Sequence, residues 1–323
     1  MRVLVTGGGG FIGSHLAEHL LERGYRVRIL DNFATGRRSS VAALDGQVEL
    51  IEGDIQSYER VNKALAGCEV VFHLAALPSV PRSVQDPLTS NATNVIGTLN
   101  VLLAARDRGV RRVVYASSSS VYGSGGGTTP KQEDKPTMPI SPYATAKLAG
   151  EGYARSFHEV YGLETVSLRY FNVFGPRQDP TSQYAAVIPN FIGALLAGQP
   201  PVIFGDGEQS RDFTYVANVV QANVLAMDAP GVAGKVYNIA CGERVTLNRL
   251  VGELRGLLDS DVDPAYAAPR AGDIKHSVAD LSLARAELGY EPEVQLREGL
   301  ERTIEHFNEQ ELHSDGGRLI GAP

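Results

Sequence analysis

Thr6-Gly7-Gly8-Gly9-Gly10-Phe11-Ile12-Gly13 follows the first β-rich run of the chain and opens its first helical pattern. Glycines at 7, 10 and 13 suit a tight turn, a close backbone approach to a pyrophosphate, and close contact between helix and strand. The helix N-terminus then stabilises phosphate charge. Glycine clusters also serve ordinary turns, so the context decides. Arg2 to Thr6 reads as a strand before the loop. After it, Ile12, Leu16, Leu20 and Leu21 recur at helical spacing, and Gly24 fits a C-cap. A second strand, Arg26 to Leu30, leads to Asp31, about 20 residues beyond the loop, where an acid can hold a ribose 2′-hydroxyl. A carboxylate there repels the extra phosphate of NADP and favours NAD. Asp31-Asn32 is also good turn chemistry in its own right. Gly53-Asp54-Ile55, after a third strand, places Asp54 either against an adenine or as an N-cap for the next segment.

Outward from this loop, further strands are expected at Val48 to Glu52, Glu69 to His73, Arg112 to Ala116 and Thr165 to Tyr170, with helical patterns between. Short apolar strands alternating with helices predict an α/β fold, a doubly wound, parallel, Rossmann-type sheet. Gly123 to Pro142 reads as a long loop. After Gly175 proline and glycine become frequent, and helices are expected near Ala186–Ala197, Thr246–Leu258, Leu281–Leu288 and Leu296–Glu309. Val236 to Ala240 looks like one more strand of the large sheet. The expected division is a dinucleotide-binding domain of residues 1–175 with 214–240, and a smaller, interleaved substrate domain of 176–213 with 241–310. A polar, glycine-rich tail, 311–323, is expected to fray.

The chain has 323 residues, of which 43% are hydrophobic and 21% charged, ample for a large core. Lys plus Arg is 30 against 37 Asp plus Glu, a net charge of −7 that disfavours nucleic acid and anionic membranes as partners. No apolar stretch approaches the roughly 20 residues of a spanning helix. The N-terminus enters a strand without a signal peptide pattern, and Cys68 and Cys241 suit neither a disulfide framework nor a structural metal. These features predict a cytoplasmic enzyme acting on a small molecule, with no metal.

Two further patterns point to chemistry. Tyr143 and Lys147 stand four apart at the start of an amphipathic helical run, so they share a face. A free tyrosine has a pKa of about 10 and is a poor base at neutral pH. A neighbouring ammonium and the charge of an oxidised nicotinamide would favour its phenolate. Ala116-Ser117-Ser118-Ser119-Ser120-Val121-Tyr122-Gly123 follows the fifth strand, at the sheet edge where ligands bind in such folds. Hydroxyls there can bond a substrate alcohol or ketone.

The motifs occur in order: Thr-Gly-x-x-Gly-x-x-Gly, Asp31-Asn32, His73-Leu74-Ala75-Ala76, the serine run, Tyr143-x-x-x-Lys147, and Arg169-Tyr170-Phe171-Asn172-Val173-Phe174-Gly175-Pro176. Over about residues 1–308 the chain resembles the extended short-chain dehydrogenase/reductase family, in its nucleotide-sugar epimerase/dehydratase branch. The resemblance implies Ser118, Tyr143 and Lys147 as the catalytic triad and NAD as tightly bound cofactor. It implies NAD contacts at Gly7, Gly10, Phe11, Ile12, Gly13, Asp31 and Asn32, at Gly36, Asp54 and Ile55, and at Leu74, Ala75 and Ala76. Asn94, Ser117 and Tyr170, with the catalytic Tyr143 and Lys147, complete that set. Family dehydratases carry Asp-Glu where this chain has Ser119 and Ser120, and decarboxylases carry Glu at the second position. Two serines there favour oxidation and re-reduction at C4, the UDP-hexose 4-epimerase pattern.

For the UDP-sugar, the resemblance implies Asn172 and Arg211 at the diphosphate and Phe204 stacked on the base. Arg270 supplies a second phosphate contact and Asp273 an acid for the uridine ribose. Ser79, Ser118, Ser119, Ser120, Tyr143 and Val187 fall at sugar-facing positions. Ser277 matches a gatekeeper, where a bulky aromatic restricts the pocket to glucose and galactose; its small size implies tolerance of N-acetylated sugars. Asn218 stands where many relatives have Asp, at a helix start, and is expected to serve equally well as a cap. A homodimer is implied, pairing helices near Asn94–Arg108 and Tyr143–Tyr161.

Overall fold

The structure is a computed structural model and describes residues 1–44, 46–124, 127–178, 186–269 and 274–315. Val3, Leu4 and Val5 are fully buried in strand β1 (Arg2–Thr6), as a strand covered on both faces requires. β1 pairs in parallel with β2 (Arg26–Asp31) on one side and with β4 (Val70–His73) on the other, Thr6 aligning with Leu30 and His73. β3 (Glu49–Glu52) lies beyond β2; β5 (Arg112–Ser118) and β6 (Glu164–Tyr170) follow β4. The strand Lys235–Ile239 closes the seven-stranded parallel sheet beside β6, where the sequence placed it. Strand order reverses at β1, so the crevice between β1 and β4 is the position for a ligand.

The helix Phe11–Glu22 ends as expected at Gly24. The Tyr25 N–H reaches the Leu20 carbonyl and the Gly24 N–H the Leu21 carbonyl, with Gly24 at φ +80°. Helices Phe11–Glu22 and Val216–Asp228 cover one face of the sheet, over Leu16, Leu20, Val219 and Met227. Helices Tyr58–Ala64, Gly97–Asp107 and Pro142–Tyr161 are on the other, over Val61, Leu102 and Phe157. A further core joins helices Val187–Leu196, Leu247–Leu258 and Leu296–Asp315 through Phe191, Leu250, Leu254 and Leu300. None of these helices is long and apolar enough to cross a membrane.

Three expectations change. β5 runs on through Ser117 and Ser118, and only Ser119–Tyr122 leaves it, as a single 3-10 turn. The segment expected as a helix near Leu281–Leu288 contains a π-helical turn at Ala284–Leu288. The last helix continues through residues 311–315, where a tail was expected to begin. Glu309 to His313 lacks a helix breaker, and the first glycine is Gly316.

Asn218 does not cap its helix. Its Oδ1 accepts the N–H groups of Glu293 and Val294, both at 3.0 Å, and its Nδ2 donates to the Val294 carbonyl at 2.7 Å. The amide therefore pins a buried backbone turn with both of its ends, which a carboxylate could not do. Asn218→Ala should cost about 1–3 kcal/mol in chemical denaturation. A loss under about 0.5 kcal/mol, the range of inert surface changes, would contradict this role.

Candidate active site

The glycine loop is built around contacts that exclude side chains. Gly7 has φ +73°, and a Cβ there would lie 2.7 Å from the Ala75 nitrogen. A Cβ on Gly13 would meet the Gly7 carbonyl oxygen at 2.1 Å. The helix that follows has neither a side-chain cap nor an acidic residue in its first turn. Its unpaired N–H groups therefore suit an anion brought by a ligand.

Asp31 is buried at the end of β2, with Oδ2 accepting the Gly9 N–H at 2.8 Å and Oδ1 the Phe33 N–H at 2.7 Å. The turn reading and the site reading of Asp31 are thus one arrangement: the carboxylate holds the loop and keeps free lone pairs beside it. A Cβ on Gly36 would lie 2.8 Å from the Gly9 carbonyl carbon, so Gly36 also closes on the loop. Asn32 donates to Asp54 at 2.8 Å. Asp54 makes a turn with the Gln56 N–H, and Ser57 caps the next helix instead. Ile55 is buried against Gly97. Leu74, Ala75 and Ala76 follow β4; the Ala75 N–H donates to the Thr6 hydroxyl at 3.2 Å.

Three residues implied as cofactor contacts have their polar groups occupied within the protein. Asn94 is buried in a π-helical turn, Ala92–Ile96, and grips the Leu77 backbone: Oδ1 accepts its N–H at 2.8 Å and Nδ2 donates to its carbonyl at 3.2 Å. It shapes the loop that leads to Ser79. The Tyr170 hydroxyl pairs with Asn223, and Ser117 donates to Glu151 at 2.5 Å.

The helix Pro142–Tyr161 presents Tyr143, Lys147 and Glu151 on one stripe towards the end of β5. Ser118 lies near enough to the Tyr143 phenol to pull its pKa down, and Lys147 Nζ donates to the Ala116 carbonyl at 2.8 Å. Nζ lies 5.9 Å from the Tyr143 ring centre. Burial pushes the Tyr143 phenol up to about 12, against the pull of Ser118. Burial also brings Lys147 down to about 8, opposed by the Glu151 carboxylate. In the protein by itself, desolvation thus opposes the Tyr143 phenolate; the expectation of a favoured phenolate included the charge of an oxidised nicotinamide. Ser118 also accepts the Ser120 N–H at 3.2 Å, which orders the serine turn.

Sequence reading missed the support beneath this triad. Arg169 of β6 bonds Glu151 twice, at 2.9 and 2.7 Å, with both side chains 5% exposed. The signal available was the i, i+4 step from Lys147 to Glu151. Ser83, from the helix Val80–Gln85, accepts the Tyr143 N–H at 3.1 Å and ties the start of the catalytic helix to its neighbour. Ser79 caps that same helix through the Arg82 N–H.

The remaining sugar-side residues lie around the second core. Asn172 adopts φ +27°, a left-handed conformation unusual for a non-glycine, and donates to the Asp212 carbonyl at 3.2 Å. Arg211 donates to the Ser210 carbonyl at 2.9 Å, and Gln209 donates to the Phe204 carbonyl at 2.5 Å. Ser277 is 9% exposed and bonds back to Ser210, and Val187 begins its helix. Arg270 and Asp273 lie outside the described residues.

A buried anion-accepting loop, an acid at the end of β2 and a Ser–Tyr–Lys group at the sheet's C-terminal edge now stand together. The model of the NAD dependent epimerase/dehydratase family matches residues 3–240. This chain belongs to that family. A UDP-glucose 4-epimerase of Mycolicibacterium smegmatis is 40% identical over 316 residues, 95% of this chain and 98% of that protein. The solved UDP-N-acetylglucosamine 4-epimerase of Methanobrevibacter ruminantium, in complex with UDP-N-acetylmuramic acid, is 43% identical with a TM-score of 0.91, covering 96% and 98% of the two chains. The UDP-glucose 4-epimerase of Thermus thermophilus in complex with NAD is 38% identical with a TM-score of 0.87, covering 95% and 99%. A UDP-N-acetyl-alpha-D-glucosaminuronate decarboxylase of Bacillus cytotoxicus is 35% identical over 96% of this chain and 98% of that protein. Membership alone therefore leaves the reaction and the sugar to the residues of the site.

Proposed function

We propose that this family member is a UDP-hexose 4-epimerase with tightly bound NAD. It would interconvert UDP-galactose and UDP-glucose, and the corresponding N-acetylated pair. The observation that carries this reading is the serine turn after β5: Ser118 engages Tyr143, and Ser119 and Ser120 offer no carboxylate to expel water or assist loss of carbon dioxide. The T. thermophilus relative's NAD and the relatives named for UDP-sugars support the cofactor and carrier.

The free N–H groups of the first helix turn would hold the cofactor's pyrophosphate, Asp31 its adenosine ribose, and Lys147 its nicotinamide ribose. NAD held in this way supplies a reversible hydride acceptor for C4 and a positive ring that favours the Tyr143 phenolate. Tyr143 takes the C4 hydroxyl proton, and Ser118 orients that oxygen. The 4-keto sugar turns over while its UDP stays anchored, so that the hydride would come back to the opposite face of C4 as Tyr143 returns the proton to the C4 oxygen. Asn172, Arg211 and Arg270 would hold the diphosphate, Phe204 the base and Asp273 its ribose. Arginine suits such bidentate phosphate contacts. We also read residues 1–175 with 214–240 as the cofactor domain. Outward-facing Ile96, Tyr153, Val160 and Tyr161 mark the helix pair on which a second copy would dock.

The test is product analysis by proton NMR and mass spectrometry with UDP-galactose and UDP-N-acetylgalactosamine. The gluco sugar at unchanged mass is expected from each; a product lighter by water or carbon dioxide would replace this reading. Ser277→Tyr should cut turnover of the N-acetylated sugar by about 10-fold or more while sparing UDP-galactose, a difference of 1.4 kcal/mol or more. Equal loss on both would remove Ser277 as gatekeeper.

A further inference from the structure

We infer that Asp212, which is wholly buried and touches no ligand position, is the positioning residue that sets the protein's affinity for the UDP end of its substrate. This rests on the proposed UDP-sugar site. Two separate pieces of chain converge on its carboxylate with three backbone donors. Oδ1 accepts the Cys241 N–H at 3.0 Å; Oδ2 accepts the Gly242 and Ala279 N–H groups, both at 3.0 Å. Its own carbonyl accepts Asn172 Nδ2 at 3.2 Å.

Asp212 itself and its partner Ala279 lie close in the chain to residues of the proposed substrate side. Arg211 precedes Asp212 in the chain. Ser277 is two residues from Ala279, and its N–H donates to the Ser210 carbonyl at 3.1 Å, while the Ser210 N–H donates to the Lys275 carbonyl at 2.8 Å. The segment 275–279 is thus laid along Ser210 and pinned at its far end by Asp212. On the other side, Asn172 is held at its strained φ by two bonds: the one to Asp212 and one in which its carbonyl accepts the Thr214 N–H at 3.2 Å. The carboxylate therefore pins the segment that carries Ser277, while the backbone of the same residue holds Asn172 and carries Arg211, so that Asp212 links all three in a common frame. Tyr143, Ser118 and Lys147 hang from β5 and the helix Pro142–Tyr161, and share no hydrogen bond with Asp212. Loss of the frame should weaken ligand anchoring and leave the chemistry intact.

Asp212→Asn keeps the size but turns an amide N–H₂ toward backbone N–H donors on one side. The holoprotein is titrated with UDP by calorimetry, and kcat and KM are measured for UDP-galactose, with NAD content per chain and Tm recorded. The expected result is a UDP Kd and a KM raised about 10-fold or more, with kcat within about twofold and NAD content unchanged. An unchanged Kd overturns the inference, as does a fall in kcat, NAD content and Tm together. If the variant does not fold, hydrogen exchange of the wild-type holoprotein decides. Slower exchange at Cys241, Gly242 and 275–279 on adding UDP supports the frame, and no change there overturns it. Wild-type protein that binds UDP without epimerising any UDP-hexose would sink the proposed reaction and leave the Asp212 result standing on its own.

Discussion

Tyr143→Phe should lower the rate of the proposed C4 epimerisation by about 10²–10⁴-fold, the range over which a positioned acid–base group contributes. Bound NAD should remain at wild-type content, because Phe keeps the ring and Lys147 keeps its own anchor on the Ala116 carbonyl. Burial holds the Tyr143 phenol up at about 12 in the protein by itself, and Ser118 supplies the only pull in the other direction. In the proposed mechanism the Tyr143 oxygen, as the phenolate that bound NAD+ would favour, is the group that receives the proton, and neither Ser119 nor Ser120 offers a carboxylate in its place. Rates are read by proton NMR on UDP-galactose, and NAD by its release on denaturation. Undiminished turnover would remove Tyr143 from the mechanism.

Glu151→Ala should destabilise the fold by about 3–5 kcal/mol, the cost of leaving one member of a buried ion pair alone. Arg169 would lose both of its short bonds to Glu151 in a site where each side chain is 5% exposed, and Ser117 would lose its acceptor. Its other contacts, a 3.5 Å bond from Nη1 to the Glu133 carbonyl and the guanidinium 4.6 Å over the Tyr122 ring, cannot replace a carboxylate. Replacing both members by methionine should recover much of the loss, since two apolar side chains leave no uncompensated charge. Urea denaturation of the two variants checks this. A single variant within about 1 kcal/mol of wild type would mean that the pair is hydrated or dispensable.

Local motifs were the most legible part of this chain. The glycine loop, its flanking strands and the Gly24 cap all follow from residues within a few positions of one another, and each forms where it was expected. The strand Lys235–Ile239 was legible because its apolar run is short and bounded by glycines. What the sequence did not convey is where polar side chains spend their hydrogen bonds. Asn94 and Tyr170 stand at positions that imply cofactor contact, yet Asn94 clamps the Leu77 backbone and Tyr170 faces Asn223. Glu151 and Arg169 are 18 residues apart on a helix and a strand, and only the packing of one on the other makes them partners. Asp212 collects donors from Cys241, Gly242 and Ala279, a convergence with no local signature. The desolvation that opposes a Tyr143 phenolate in the protein by itself was illegible for a related reason. Spacing reveals the neighbouring ammonium, but desolvation depends on everything packed around the ring.

The proposed function requires that C4 be oxidised and then reduced again within one binding event. The most direct measurement uses UDP-galactose carrying deuterium at C4, with the product followed by proton NMR and mass spectrometry. The account predicts UDP-glucose with the deuterium retained at C4 and no net change of mass. Loss of the deuterium to solvent, or its transfer to a second molecule of sugar, would contradict it.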